Sequence, residues 1–183
     1  MNKVTETIKS RRSIRKYLPE QLREEELQVI LEAGNYAPSA HNEQSWHFTV
    51  IRNKELLDRM SVKAKELMAA QGTDWVKDMG GNKDFHLFYH APAVIVVSMR
   101  KAALSPLVDC AAAIENMLLA AESLDIGSCW IGLTRYYFAQ QDELPRLKLP
   151  AGYEPCYAVA LGYKGQRPAK ALPRTAAPVT YID

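Results

Sequence analysis

The sequence predicts an α+β fold, in which helices flank a β-sheet within one domain covering residues 1–183. Strand-like and helix-like segments are interspersed without the regular βαβ rhythm of a parallel sheet. Residues 93–99 are short, apolar and β-branched, which is typical of a strand buried on both faces. Residues 106–124 form a helix candidate that is apolar nearly all round and therefore needs cover on every side.

Three elements are expected before the buried strand. In residues 24–33 apolar side chains recur at helical spacing and Gly34 follows, which predicts an amphipathic helix that ends at this glycine. Residues 47–51 alternate polar and apolar side chains, which predicts a short strand. Residues 54–70 place their apolar side chains on one helical face, which predicts a second amphipathic helix.

The helix at 106–124 has a start signal, with Ser105 as N-cap and Pro106 at the first helical position. One domain of this size rarely covers such an apolar helix by itself, so the helix indicates a homodimer. A last strand is predicted at residues 156–161. The chain beyond Gly162 lacks apolar periodicity, which predicts an extended C-terminal arm. Three prolines lie in this arm: Pro168, Pro173 and Pro178.

The composition argues against several classes of protein. A net charge of +2 and a pI near 8.4 are too mild to indicate binding to nucleic acid or to an anionic membrane. Three cysteines without a CxxC pair indicate free thiols in a reducing compartment. The polar N-terminus lacks the apolar core of a signal peptide, and no apolar run approaches the ~20 residues of a membrane span. We therefore expect a cytoplasmic protein.

Basic residues are concentrated near the N-terminus. The segment Ser-Arg-Arg-Ser-Ile-Arg-Lys-Tyr, residues 10–17, contains three guanidinium groups and two hydroxyls within its first six positions. Arg binds phosphate bidentately and Ser adds a neutral donor, so the segment is suited to holding a phosphate group. A solvated basic patch or a contact with nucleic acid would have the same composition.

Three further segments have patterns that suit a ligand. Residues 36–46 combine amides, hydroxyls and an aromatic side chain between a helix and a strand, although a plain connector would use the same turn-forming residues. Residues 127–132, Gly-Ser-Cys-Trp-Ile-Gly, predict a turn whose backbone approaches a flat ligand, without the GxGxxG pattern of dinucleotide binding. The tail adds a second basic group, formed by Lys164, Arg167, Lys170 and Arg174.

In their order and rough spacing these segments resemble the nitroreductase superfamily of FMN enzymes. The motifs that carry the resemblance are Arg-Arg-Ser-Ile-Arg-Lys-Tyr, Ala-Pro-Ser-Ala-His-Asn-Glu-Gln-Ser-Trp and Gly-Ser-Cys-Trp-Ile-Gly, and they span almost the whole chain. The resemblance implies a mixed sheet flanked by helices, and a homodimer with an extended C-terminal arm. It also implies that FMN lies in a groove at the dimer interface.

The resemblance assigns the basic residues to two parts of FMN. Arg11, Arg12 and Ser13 match the positions that hold the phosphate and the neighbouring ring edge. Arg15 matches the basic residue that approaches the flavin pyrimidine, and Arg174 matches a C-terminal residue that returns to the phosphate. Lys170 is a weaker candidate for the phosphate site, because the Lys-x-Arg spacing of some members is absent here.

The resemblance also assigns two segments to the flavin ring. The residues that match a loop reaching the flavin of the partner subunit are Pro38, Ser39, Ala40 and Asn42. The residues that match the turn beside the flavin N5 edge are Trp130, Ile131 and Gly132. The chain departs mildly from the family at Ser45, where other members often have proline.

Two other features are candidates for a metal site and for a mobile lid. His86 and His90 have a spacing that binds metals on a helix, but no HExxH order and no obvious third ligand accompany them, so we do not expect a metal site. Residues 75–85 lie where the family has a mobile lid, and a loop with glycine punctuation explains them equally well.

The resemblance implies that the chain uses NADH or NADPH to reduce a small electron-poor acceptor, such as a nitroaromatic or a quinone, by a ping-pong hydride mechanism. No side chain is expected to act as a nucleophile or proton donor, because the cofactor carries the chemistry. One alternative is a member of the same family that dehalogenates its substrate or cleaves flavin. A second is a basic nucleic-acid-binding module, which would be colourless and bind with a steep salt dependence.

Overall fold

The computed structural model describes residues 2–166 and 170–183, and it has an α+β architecture built on a four-stranded sheet. The strand order is β1-β2-β4-β3, and every neighbouring pair is antiparallel. The strands are β1 (Trp46–Ile51), β2 (Ala93–Arg100), β3 (Ile126–Ile131) and β4 (Tyr153–Tyr163). This confirms the predicted fold class, and the strands predicted at 47–51, 93–99 and 156–161 all occur with slightly wider bounds.

Helices cover both faces of the sheet. The α-helices of the described residues are α1 (Lys3–Ser10), α2 (Glu24–Asn35), α3 (Lys54–Gln71), α4 (Asp74–Gly81), α5 (Pro106–Ser123) and α6 (Arg135–Phe138). One hydrophobic cluster joins the sheet to α3, α4 and α6, and the other joins it to α2 and α5. Val94 and Val96 of β2 belong to the first cluster and Ile95 and Val97 to the second, so β2 is buried on both faces as its sequence predicts.

The prediction that the helix beginning at residue 24 ends at Gly34 is wrong, since α2 continues to Asn35. Gly34 is buried inside the helix, where an added Cβ would collide with the side chain of Met117 on α5 and lie 3.2 Å from the Phe48 ring. The glycine is therefore a packing residue that allows α2 to approach α5 closely.

Two segments have a different structure from the one predicted. Residues 127–131 form most of β3 rather than a turn, because their backbone pairs with β4 from Ile126 to Ile131, and Gly132 begins a short 3-10 helix. The lid candidate at 75–85 is mostly the helix α4, which buries Val76 against α3 and leaves Trp75 exposed. A lid function for this segment stays a prediction.

Helix α5 starts as predicted with Pro106 at its first position, although the Ser105 side chain makes no capping hydrogen bond. Its inner face is buried against the sheet and α2, whereas Leu107 and Val108 remain exposed. The apolar surface on every side of this helix is therefore only partly covered by its own chain.

In the described end of the predicted C-terminal arm, residues 170–183 contain no helix or strand and are exposed throughout, whereas Pro168 lies outside the described residues. Strand β4 continues past Gly162 to Tyr163. Within residues 2–166 and 170–183 no helix is both long and apolar enough to cross a membrane.

Candidate functional site

The basic segment leaves α1 as extended chain and lies beside β3. The backbone N–H of Ile14 donates to the carbonyl oxygen of Ser128 at 2.9 Å, and Ser13 forms an isolated parallel bridge with Ser128. Ile14 is buried while Ser13 and Arg15 are exposed. Because side chains alternate in extended chain, Arg11, Ser13 and Arg15 share one face of the segment.

A glycine on β3 allows this close approach. A Cβ added to Gly127 would lie 2.9 Å from Cγ2 of Ile14, which is closer than real Cβ atoms come to a neighbour. The two segments that the sequence predicts for one site, residues 11–15 and 127–132, are therefore brought together by the packing of Ile14 against Gly127.

Cys129 on β3 follows Ser128, the residue that bridges to Ser13. Burial raises the pKa of the Cys129 thiol, and the Arg15 guanidinium opposes this rise. The outward face of the basic segment thus presents two guanidinium groups and one hydroxyl beside β3.

Two residues that the sequence does not assign to the site hold these arginines. Arg11 Nε lies 3.6 Å from Oε1 of Glu115 on α5. The Arg15 guanidinium lies 5.8 Å from the ring centroid of Tyr89, within the range of a cation–π interaction. Nothing in the local sequence indicates either contact, because Tyr89 and Glu115 are distant from the basic segment along the chain.

Arg12 is placed differently from its neighbours. Its Nη1 donates to the carbonyl oxygens of Lys9 (2.8 Å), Ser10 (3.1 Å) and Arg11 (2.6 Å), at the C-terminal end of α1. Free carbonyl groups at a helix C-terminus attract a cation. Arg12 therefore closes α1, while the other two arginines face the site.

The end of β3 presents an open stretch of backbone. Trp130 packs edge-on against Tyr157 with ring centroids 5.1 Å apart, and Ile131 is buried. Gly132 follows on the surface, where an added Cβ would meet nothing within 4 Å. A flat ligand therefore has unobstructed access to the backbone at Gly132.

The loop with Pro38, Ser39, Ala40 and Asn42 lies elsewhere on the chain, at the N-terminal end of α5. The Ala40 backbone N–H donates to the Asp109 side chain at 3.1 Å. No hydrogen bond or ion pair of the described residues connects this loop to residues 11–15. Arg174 is exposed in the arm, and no hydrogen bond or ion pair of the described residues joins it to the loop or to the basic segment.

The histidine pair has a neighbour that the sequence did not suggest. His86 and His90 lie in a turn, not on a helix, and Asp58 of α3 joins them so that their ligand atoms lie within 4.8 Å of one another. The expectation that no third ligand is near is therefore wrong.

The protonation of His86 nevertheless disfavours a metal. Its Nδ1 accepts the backbone N–H groups of Phe88 (3.2 Å) and His90 (3.1 Å), so the ring proton of the neutral form is on Nε2. Nε2 faces Asp58 Oδ1 at 3.3 Å, and burial lowers the pKa of His86 to about 4. With its proton on Nε2 and its Nδ1 lone pair accepting backbone N–H groups, this imidazole has no free lone pair for a metal ion.

Comparison with known proteins identifies the family. The model of the nitroreductase family matches residues 8–163. A Methanothermobacter thermautotrophicus protein with the provisional name NADH dehydrogenase/NAD(P)H nitroreductase is 34% identical over 174 residues, which cover 90% of this chain and 79% of that protein. FMN-bound nitroreductase structures from Bacteroides fragilis and Desulfitobacterium hafniense match with TM-scores of 0.86 and 0.88, at 36% and 32% identity, and cover 100% of both chains.

The architecture is thus the α+β fold of these FMN-bound structures. The chain belongs to the nitroreductase family.

Proposed function

We propose that this chain is an NAD(P)H-dependent FMN oxidoreductase that reduces electron-poor acceptors, such as nitroaromatics or quinones, in a ping-pong cycle. The observation that carries the proposal is the face shared by Arg11, Ser13 and Arg15 beside β3, the strand that ends in open backbone at Gly132. The family match and the FMN held by the two bacterial relatives support the same function.

The residues present fit FMN in chemical type. A phosphate requires cationic and neutral donors, which Arg11 and Ser13 supply on one face. A planar ring requires an approach free of side chains, which Gly132 supplies. Arg12 supports the phosphate site indirectly, by stabilising the C-terminal end of α1. Arg174 joins the phosphate site when the arm folds back.

When bound, FMN would supply hydride transfer between NADH or NADPH and the acceptor. The chain's own residues provide position and charge. The Arg15 guanidinium would stabilise negative charge on the flavin pyrimidine, and Tyr89 keeps this guanidinium in place. No side chain is assigned as nucleophile or proton donor.

The site is completed by a second copy of the chain. No hydrogen bond or ion pair of the described residues joins residues 38–42 to the basic segment of their own chain, so we assign them to the FMN that the partner's basic segment holds. Helix α5 presents Leu107 and Val108 to solvent, and a dimer covers such an apolar surface. The three free cysteines fit a cytoplasmic location.

Purified protein tests this function directly. We expect a yellow protein with a flavin spectrum, close to one FMN per chain, whose flavin is bleached by NADH or NADPH and restored by a quinone or a nitroaromatic. A protein that binds FMN but oxidises little NAD(P)H with these acceptors would indicate the dehalogenating or flavin-cleaving reaction instead. A colourless protein that binds nucleic acid with a steep salt dependence would overturn the proposal.

A further inference from the structure

A buried carboxylate fastens the loop that carries Ala40 and Asn42. Asp109 lies in the first turn of α5 and is 3% exposed. Its Oδ1 accepts the backbone N–H of Ala40 at 3.1 Å, and its Oδ2 accepts the Ser45 hydroxyl at 2.7 Å. One side chain on a helix thus holds both ends of the segment between residues 40 and 45.

The loop between these two anchors has an unfavourable backbone. His41, Asn42 and Gln44 have φ values of 50°, 54° and 47°, in the left-handed region that residues other than glycine rarely adopt. Three such residues within four positions require surrounding contacts that hold them there. Asp109 supplies two of these contacts, and the Ser39 hydroxyl supplies another by accepting the backbone N–H of Gln44 at 3.0 Å.

The position of Asp109 suits a negative charge. Amide groups at the N-terminal end of a helix favour an anion in the first turn, so α5 stabilises the carboxylate that the loop requires. Both partners of Asp109 are donors, and a carboxylate can accept from both at once. An asparagine at this position could accept from the Ala40 N–H and donate its amide group to the Ser45 hydroxyl, but it would replace two charge-assisted hydrogen bonds by weaker neutral ones.

We propose that Asp109 is a positioning residue for FMN binding, acting through the 40–45 loop on the flavin of the partner subunit. The carboxylate sets the loop in its strained form before FMN or the partner arrives, so that Ala40 and Asn42 meet the ring without reorganisation. This inference rests on the shared site of the proposed function and assigns to it a residue that touches no cofactor itself.

A matched pair of variants separates positioning from general stability. Asp109→Asn should raise the FMN dissociation constant on the order of tenfold, because the two hydrogen bonds that hold the loop lose their charge assistance. Glu143→Gln is the control: Glu143 is also a buried carboxylate, paired with Arg59 and Arg146 away from the loop. It should lower the unfolding midpoint and leave the FMN dissociation constant unchanged.

Ser45→Ala provides a second variant for the case that Asp109→Asn folds poorly. Ser45 is fully buried and removing its hydroxyl leaves the Ala40 bond in place. We expect a weaker effect on FMN binding in the same direction. FMN affinity equal to that of the parent in both variants would overturn the proposal.

Heterodimers of two differently altered chains show which of the two sites each substitution affects. A dimer of one Arg11→Ala/Ser13→Ala chain and one Asp109→Asn chain should have one intact site, so about half of the FMN binds with the parent affinity. Asp109→Asn combined with Asn42→Ala should leave no intact site. The FMN titration of each verified heterodimer is the readout, which does not depend on turnover.

A reference pair distinguishes the two proposals. Arg11→Ala/Ser13→Ala combined with Asn42→Ala tests the shared site alone and should restore one site. If this pair restores one site and the pair with Asp109→Asn does not, the role of Asp109 is overturned and the shared site stands. If the reference pair restores none, the shared site fails, and Asp109 is then decided by the FMN affinities of Asp109→Asn and Glu143→Gln as homodimers.

Discussion

At the scale of single residues, the side chains of the basic segment point alternately to the site and to the protein interior. Arg11, Ser13 and Arg15 face the site, whereas Ile14 fills a gap against Gly127 and Arg12 closes α1. A count of positive charges therefore overstates the number of donors that reach a ligand.

Arg11→Ala and Ser13→Ala should each weaken FMN binding by about tenfold or more, because a hydrogen bond to a charged phosphate contributes roughly 1.5–3 kcal/mol. Fluorescence titration measures the dissociation constant. Lys9→Ala, which removes a nearby exposed charge of α1, is the matched control and should bind FMN as the parent does. Parent-like affinity in both site variants would remove these residues from the site.

His86 makes the stability of the fold depend on pH. Its pKa is lowered from 6.5 to about 4, first by burial and then by His90. Between these values the unfolded chain takes up a proton that the folded chain does not, so the free energy of unfolding decreases as the pH falls. The slope attributable to one such group is at most about 1.4 kcal/mol per pH unit.

His86→Asn should flatten this dependence between pH 6.5 and 4, since the amide oxygen can accept backbone N–H groups as Nδ1 does but does not titrate. Urea denaturation at a series of pH values measures the effect. His90→Gln, an exposed neighbour, should retain most of the slope because burial is the main cause of the shift. An unchanged slope in His86→Asn would contradict the assignment.

Two segments of the candidate site could be recognised from the sequence, because each of them is a local motif. Residues 11–15 and 127–132 were recognisable as motifs, and the structure brings them together. Tyr89, Asp58 and the bond from Ala40 to Asp109 depend on the packing of distant elements. No local pattern carries that information.

At the scale of elements, helices with a buried apolar stripe were predictable and the others were not. Helix α1 buries no residue, so its sequence has no core-facing period to detect. Helix α4 buries only Val76. Strand β3 contains Gly127 and Ser128, which are poor strand formers, and exists because β4 supplies its hydrogen bonds.

Two glycines in helices should respond oppositely to alanine. Gly34→Ala should lower the free energy of unfolding by about 1–3 kcal/mol, because the new Cβ overlaps Met117. Gly81→Ala, at the end of α4 where an added Cβ meets nothing within 4 Å, should be neutral or stabilising by up to about 1 kcal/mol. Chemical denaturation of both variants checks the pair, and equal effects would contradict the close packing of α2 on α5.

At the scale of the whole molecule, we expect an obligate dimer. Val108→Lys places a charge on the exposed side of α5, where the isolated chain would tolerate it because Val108 is 70% exposed. In a dimer that buries this face the lysine should dissociate the subunits and release FMN. Light scattering with absorbance detection measures both.

Val62→Lys is the control for that experiment, because Val62 on α3 is 54% exposed but lies outside the proposed interface. It should leave mass and FMN content unchanged. A parent protein that behaves as a ~20 kDa monomer with bound FMN at micromolar concentration would rule out the obligate dimer.

Because the side chains of the basic segment alternate between two sides, the length of this segment is more constrained than its composition. One residue inserted or deleted between Arg11 and Ile14 would send every following side chain to the opposite side, so a deletion would bury the Arg15 guanidinium where Ile14 now packs and an insertion would place Ser13 there. A substitution at constant spacing changes only one group. Natural relatives should therefore vary in residue type within this stretch while keeping its length, and insertions should be tolerated only outside it.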